Sequence, residues 1–255
     1  MTRLTVFAAL AALASSLSVF SADSSPDGPV YELRVYYAAE GKLDALHARF
    51  RDHTMKIFEN HGMKNVGYFV PEGKNEERKL VYFLEHKSRE AAKQSWKDFG
   101  ADPEWQQVQK ESEKNGRLVS RLDRTYLQLT DYSPTPQVEK KGGRVFELRT
   151  YTTPEGKLDD LNARFRNHTM TLFKKHGMEN VAYWTKQPDE KDAKTTLIYL
   201  LAHKSRDEAT KSFDAFRKDP DWVKAKGDSE KNGSLTVENG VKSEFLIPSD
   251  YSPMK

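Results

Sequence analysis

Apolar and polar residues alternate in several short segments of the chain, and apolar residues recur at helical spacing in others. Residues 30–37, VYELRVYY, alternate strictly, which predicts a β-strand. In residues 41–61 the apolar positions lie three, four or seven residues apart, so this segment is predicted to be an amphipathic helix that ends at Gly62. A strand followed by a helix therefore begins the patterned part of the chain.

Five further elements follow in the same way. Residues 65–70 and 79–85 are predicted strands, Ser88 begins a second helix, Pro103 begins a short third helix that ends near residue 114, and residues 118–130 form a long strand. With the two short helices counted as one helical region, the order is βαββαβ. This order is typical of the ferredoxin-like fold, in which helices cover one face of a four-stranded antiparallel sheet.

The whole pattern occurs twice. Residues 40–63 return without a gap as residues 155–178, with most positions identical, and both copies end in Asp-Tyr-Ser-Pro, at 131–134 and 250–253. The first repeat spans 30–134, the second spans 145–253, and a Pro/Gly/Lys-containing linker occupies 135–144. Since each sheet needs cover on its second face, we predict an α+β protein whose two ferredoxin-like repeats pack sheet to sheet, as a barrel or a sandwich.

Charge and cysteine content narrow the classes of function. The chain has 41 basic and 38 acidic residues, interleaved along its length, and no cysteine. A nucleic-acid-binding protein would have a clustered basic stripe, so no nucleic-acid partner is predicted. Without cysteine, disulfides and thiol catalysis are excluded.

The first 22 residues differ from the rest. Arg3 precedes an uncharged segment, residues 4–20, and the small residues Ser21 and Ala22 follow it. This is the pattern of a secretory signal peptide, so residues 1–22 are predicted to direct export to the periplasm or the medium. The alternative is an uncleaved membrane anchor, although 17 residues rich in serine make a poor span of a bilayer core of about 30 Å. After cleavage, no membrane association is expected.

The motifs YELRVYY, GKLDALHARFRDHTMKIFENHGM and DPEW, all of which recur downstream, resemble the NIPSNAP family, which is part of the dimeric α/β-barrel superfamily. The resemblance covers nearly all of residues 30–253. It implies an intramolecular dimeric α/β-barrel, a pseudo-dimer within one chain. It implies no particular reaction, because bacterial members mostly have no assigned activity.

The repeated helix carries the first candidate site residues. Arg49 and His53 lie one turn apart on its flank, and Arg164 and His168 repeat them. A partly desolvated imidazole there could act as a general base or a ligand at the mouth of a cavity. The alternative interpretation is that each pair fixes the helix on the sheet, and both interpretations stay open.

Arg34 and its repeat Arg149 are the second candidates, because each lies on a strand among tyrosines. If the space between the paired sheets is incompletely filled, it forms an apolar pocket edged by these arginines and by tyrosine hydroxyls. If it is filled, the aromatic residues are simply core. An arginine on a strand must also pair or reach solvent, so Glu32 is an expected neighbour of Arg34.

The remaining histidines favour structural roles, with His61 near a helix end and His86 in a turn. No clustered ligand motif is present, so no metal site is predicted, and no cofactor is predicted either, although haem ligation by a single histidine stays open for this superfamily. Three functions remain: a binding protein for a small molecule or a partner protein, an enzyme such as a cofactor-light monooxygenase, or a purely structural role. The sequence does not decide between them.

Overall fold

The computed structural model describes residues 28–139 and 142–255, so the predicted signal peptide, residues 1–22, lies outside the described residues. The elements of the first repeat are β1 (Val30–Ala38), α1 (Leu43–Arg49), a π-helical segment (Phe50–Thr54), α2 (Met55–Asn60), β2 (Lys64–Pro71), β3 (Lys79–His86), α3 (Arg89–Ala101), α4 (Pro103–Ser112) and β4 (Val119–Leu129).

The second repeat has the same order. Its elements are β5 (Val145–Thr152), α5 (Leu158–Arg164), a π-helical segment (Phe165–Thr169), α6 (Met170–Lys175), β6 (Glu179–Lys186), β7 (Thr196–His203), α7 (Arg206–Lys218), α8 (Pro220–Ser229) and β8 (Val241–Pro248). Both copies of βαββαβ are thus confirmed. The predicted helix over 41–61 is one helical run whose middle turn is widened into the π-helical segment.

The eight strands form one closed antiparallel barrel in the order β1-β3-β2-β8-β5-β7-β6-β4. Each repeat contributes four neighbouring strands, with β1 or β5 at an inner position. The two repeats meet along two seams. At one seam β2 pairs with β8 over Phe69–Pro71, and at the other β4 pairs with β6 over Leu127–Leu129. The sheets therefore join edge to edge as well as face to face, and the barrel alternative is the one that forms.

The inside of the barrel is filled with apolar and aromatic side chains. Rings from opposite repeats contact each other, with 5.1 Å between the ring centroids of Phe83 and Trp184 and 5.0 Å between those of Phe69 and Phe146. Packing is close at Gly67, where an added Cβ would lie 2.7 Å from the Phe69 ring. Such contacts resemble any close-packed core. The interpretation in which this space is core is thus the one that the structure supports.

Helices cover the outer face of each half of the sheet. Ser88 and Ser205 begin α3 and α7, and their hydroxyl oxygens accept hydrogen bonds from the backbone N–H groups of Ala91 and Glu208. These bonds satisfy amides that a helix leaves unpaired at its first turn. Among the described residues, no helix is long and apolar enough to cross a membrane.

Candidate functional site

Arg34 lies on the outer face of the barrel wall, under the helices. Side chains alternate along β1, so Leu33 and Val35 point into the barrel while Arg34 points away from it. The guanidinium carbon lies 3.9 Å from the centroid of the Trp96 ring on α3. Arg34 therefore does not edge the space between the sheets, and the predicted pocket there does not involve it.

A buried cluster of charged groups surrounds Arg34. One carboxylate oxygen of Glu32, Oε2, accepts a hydrogen bond of 2.7 Å from the Trp96 indole and lies 3.0 Å from His86 Nε2. The other oxygen, Oε1, lies 3.6 Å from Arg34 Nε. Glu32 and His86 are 0% and 1% exposed, so this is an ion-pair network inside the protein. The predicted pairing of Arg34 with Glu32 is present.

The second repeat has the same cluster with one substitution. Glu147 lies 3.1 Å from His203 and forms an ion pair with Arg149. Phe213 occupies the place of Trp96 and has no donor, and here Ser243 Oγ donates to Glu147 Oε1 over 2.5 Å. Each buried carboxylate thus keeps a neutral donor beside its charged partners.

The protonation state of these carboxylates follows from the balance of two effects. Burial raises the pKa of Glu32 and of Glu147, but hydrogen bonds from the neighbouring histidine and the charge of the neighbouring arginine outweigh it. The net pKa of both carboxyl groups lies below the ordinary value, so both are ionised near neutral pH.

Arg49 and Arg164 are also buried, between the repeated helix and the short helix that follows. Arg49 Nη1 lies 3.0 Å from Glu113 Oε1, and Arg164 Nη1 lies 2.7 Å from Glu230 Oε1. Both arginines are 5% exposed, and each lies over a tryptophan ring. These contacts join two helices, whereas the structural interpretation expected the arginines to fix the helix on the sheet.

His53 and His168 point outward and are exposed. His168 and Arg164 both line an open groove of about 390 Å³ between α5 and α8. Arg164 also lines a more enclosed cavity of about 190 Å³ beneath the helices of the second repeat, together with Tyr151 and Trp222. The structure thus brings Arg164 and His168 to one groove and leaves Arg34 and Arg149 in separate clusters.

A wide cleft lies at the seam between β4 and β6 and has a volume of about 830 Å³. Both repeats build it. The first repeat supplies the end of β4, and the second supplies β6, the start of α5 and the loop before β7. The lining side chains include Gln128, Thr130, Asp131, Glu155, Leu158, Asp159, Asn162, Arg166, Thr185, Lys186, Pro188, Ala193 and Lys194.

A bidentate ion pair crosses this seam. Arg166 on the π-helical segment donates to Asp131, with 2.7 Å between Nε and Oδ2 and 2.6 Å between Nη2 and Oδ1. The hydrogen bond from Arg166 holds the pKa of Asp131 below its ordinary value. Beside it, the Tyr132 hydroxyl donates to Asn162 Oδ1 over 2.7 Å. Through these contacts, the repeated Asp-Tyr-Ser-Pro motif joins one repeat to the other.

The other seam has an equivalent but smaller cleft, of about 390 Å³. There Arg51 forms the same bidentate pair with Asp250, and His47 Nδ1 lies 2.7 Å from the Tyr251 hydroxyl. The two clefts differ in the loop beside them, which has nine residues at 187–195 but only seven at 72–78. The longer loop adds a wall that contains Pro188, Ala193 and Lys194.

Several histidines are already engaged by other side chains. His86 and His203 are bonded to buried glutamates, and His61 and His176 lie 2.6 Å and 2.7 Å from Asp102 and Asp219, while His53 and His168 are exposed. In the part of the chain that the structure describes, no group of three or more His, Asp or Glu could hold a metal ion.

Sequence reasoning missed two features. The sequence predicts His86 in a turn, but His86 ends β3 and is a buried partner of Glu32. The repetition of Glu-Leu-Arg together with a histidine at the end of the third strand could have indicated it, because those strands are neighbours in the sheet. The seam clefts were missed because Asp131 and Tyr132 were interpreted only as the end of a repeat.

Comparison with known proteins decides the family. A sequence profile of the NIPSNAP family matches residues 31–134 and again residues 146–253. The chain belongs to the NIPSNAP family. Both NIPSNAP domains correspond to the two halves of the barrel, and the seam clefts lie between them. No protein of curated function matches the chain.

Solved structures of similar fold cover nearly the whole chain. A candidate monooxygenase from Lactobacillus acidophilus NCFM is 10% identical, with a TM-score of 0.54, and the match covers 87% of this chain and 94% of that protein. A candidate monooxygenase from Fusobacterium nucleatum is 12% identical, with a TM-score of 0.55 and coverage of 88% and 93%. An anthrone oxidase-like protein is 12% identical, with a TM-score of 0.55 and coverage of 89% and 94%. At such identities the likeness shows the fold alone.

Proposed function

We propose that this NIPSNAP protein binds a small organic molecule in the cleft between β4 and β6. The observation that carries the proposal is that the two seam clefts differ in volume. A purely structural contact between the repeats would not need a larger cleft at one seam than at the other. The cleft of about 830 Å³ lies within the range of about 300–1,000 Å³ that ligand sites usually have. Its wall is extended by the longer loop of the second repeat.

The lining favours a ligand without a large net charge. Three cationic side chains, Arg166, Lys186 and Lys194, lie around the cleft with three anionic ones, Asp131, Glu155 and Asp159. Amide and hydroxyl groups beside them supply neutral donors and acceptors, and Leu158 and Pro188 supply apolar surface. A neutral or zwitterionic molecule with several polar groups suits this lining.

Native mass spectrometry of the purified protein, followed by identification of any released molecule, tests the proposal. Thr185 lines the large cleft and Val70 holds the equivalent place in the small one. Thr185→Trp is expected to abolish the bound species, whereas the matched variant Val70→Trp retains it. Equal retention in both variants, or no bound species from any expression host or metabolite mixture, contradicts the proposal.

We further propose that the protein acts after export. The proposal rests on the charged, apolar and small-residue pattern of residues 1–22. Expression of the full chain with fractionation should yield mature protein outside the cytoplasm whose first residue is Ala22 or Asp23. An intact first segment in the membrane fraction would instead support the anchor.

A second candidate is an oxygenase, favoured by the more enclosed cavity of about 190 Å³ that Tyr151, Arg164 and Trp222 line. A cofactor-light monooxygenase needs an enclosed, partly apolar site, which this cavity supplies on a small scale. The likeness to an anthrone oxidase-like protein suggests an anthrone as the probe. Oxygen consumption that falls in Tyr151→Phe but not in the first-repeat counterpart Tyr36→Phe supports the enzyme, and no consumption by the unaltered protein removes it for this substrate.

A further inference from the structure

Strand β4 extends well beyond the seam. It pairs with β1 from Val119 to Gln128, but its ladder with β6 comprises only Leu127–Leu129. The five residues 120–124 are exposed. This part of β4 is therefore an edge of the barrel that is paired on one side, the kind of edge to which another strand can add.

The direction of the free backbone groups can be established from the seam. The backbone N–H and C=O groups of Tyr126 point away from β1. The N–H donates to Glu190 Oε1, and the C=O accepts from the backbone N–H of Gln187. Backbone groups alternate along a strand, and the ladder with β1 is regular as far as Arg121, so those of Leu122 and Arg124 point the same way. The exposed edge thus presents its donors and acceptors at Leu122 and Arg124.

Around Leu122 this edge is complementary to itself. We propose that two copies of the protein associate through β4, as antiparallel strands related by a two-fold axis at Leu122. In this register Arg121 lies opposite the partner's Asp123, and Asp123 lies opposite the partner's Arg121. Leu122, which is 43% exposed, meets the same residue of the second copy.

The hydrogen bonds between the two backbones require the same register as the side-chain charges. A residue on the axis with outward N–H and C=O groups forms a hydrogen-bonded pair, and Leu122 is such a residue. Arg121 and Asp123 then form the non-hydrogen-bonded pairs, whose side chains approach most closely, so opposite charges there are stabilising. Stacking on the Tyr37 ring, at 3.6 Å, and an ion pair of 3.3 Å with Asp123 of the same strand already hold Arg121 on this face. In the dimer each charge would therefore have a partner in its own strand and one in the second copy.

The equivalent strand of the second repeat is a poorer edge. By their pairing in the two ladders, Val241 is the counterpart of Leu122, and it is 41% exposed. Its neighbours are Gly240 and Lys242, so a two-fold axis at Val241 would bring no opposite charges together. The second copy is therefore assigned to β4, and β8 supplies the control.

The molar mass in solution, measured over a concentration series, tests the association. The unaltered protein is expected to form a dimer. Arg121→Asp and Asp123→Arg each place like charges opposite one another twice, so each should weaken the dimer by at least about tenfold. The double variant, with both changes, restores the opposite charges and the dimer.

A mixing experiment and a control variant on β8 show whether the association is specific to β4. A mixture of Arg121→Asp with Asp123→Arg should form a heterodimer although neither variant dimerises alone, because opposite charges then face each other. Lys242→Glu on β8 should leave the dimer unchanged. A monomer at every concentration, a dimer indifferent to the β4 charge reversals, or a dimer lost in Lys242→Glu overturns the proposal, provided that circular dichroism shows each variant folded.

Discussion

At the scale of single residues, the carboxylate of Glu32 shows how much a buried charge depends on its donors. Trp96 donates to it in the first repeat, and Ser243 performs that task for Glu147 in the second, where Phe213 replaces the tryptophan. Trp96→Phe is expected to lower the free energy of unfolding by about 1–3 kcal/mol, since the buried oxygen loses a donor. Chemical denaturation measures this change.

The second repeat suggests how to reverse that loss. Arg124 pairs with Arg34 across the ladder as Ser243 pairs with Arg149, so the two positions are equivalent. Adding Arg124→Ser to Trp96→Phe should recover part of the lost stability, because a serine hydroxyl can then reach the carboxylate. A double variant no more stable than Trp96→Phe would mean that packing, and not the donor, is what Trp96 contributes.

His47 shows a pH dependence that one seam has and the other lacks. Burial, and then the positive charge of Arg51, lower the pKa of His47, and this outweighs the opposite effect of Asp250 and Asp44. In the unfolded chain His47 takes up a proton near pH 6.5, whereas in the folded protein it takes up the proton only at a lower pH. The free energy of unfolding therefore decreases as the pH falls below about 6.5.

His47→Asn tests this directly, because Asn162 occupies the equivalent place and accepts from a tyrosine hydroxyl. The variant should lose less unfolding free energy than the unaltered protein between about pH 7.5 and about pH 5.5. The other histidines are common to both proteins and cancel in the comparison. Parallel pH profiles for the two proteins would show that His47 carries no such linkage.

At the scale of elements, the repeated helix contains a π-helical turn that its sequence did not reveal. Apolar positions seven residues apart, such as Phe50 and Ile57, fit two ordinary turns of an α-helix, so periodicity alone predicts a continuous α-helix. The wider turn is accompanied by a bond from the Thr54 hydroxyl to the Arg49 carbonyl oxygen, 3.1 Å long, and Thr169 repeats it with Arg164. A single hydroxyl contact of this kind leaves no trace in a hydrophobic pattern.

This bond gives the element a measurable role. Thr54→Val keeps the shape of the side chain and removes the donor, so it should lower the free energy of unfolding by about 1 kcal/mol. Thr54→Ser, which keeps the hydroxyl, is the control and should cost less. The two variants are compared by chemical denaturation, and a larger loss in Thr54→Ser than in Thr54→Val would show that the methyl group contributes more than the hydroxyl.

At the scale of the whole molecule, the fold was predictable because duplication and element order constrain it strongly. Two like sheets, each with one uncovered face, leave few arrangements, and the barrel is one of them. The site was less predictable. At one cleft Asp131 of the first repeat meets Arg166 of the second, and at the other Asp250 of the second repeat meets Arg51 of the first. These are contacts between residues far apart in sequence. The longer loop at 187–195 could be counted in the sequence, but its place at a seam required the strand order.

The closed barrel also predicts how each half behaves alone. Residues 30–134 without the second repeat would expose the apolar face that Phe69 and Phe83 occupy, and two strand edges as well. This fragment should therefore dimerise or aggregate, and a stable soluble monomer would contradict the pairing of the sheets. In a homodimer Phe69 of the partner would replace Trp184 against Phe83, leaving a smaller contact. Mixing with residues 145–253 should consequently favour the mixed pair, which the mass of the complex in solution can establish.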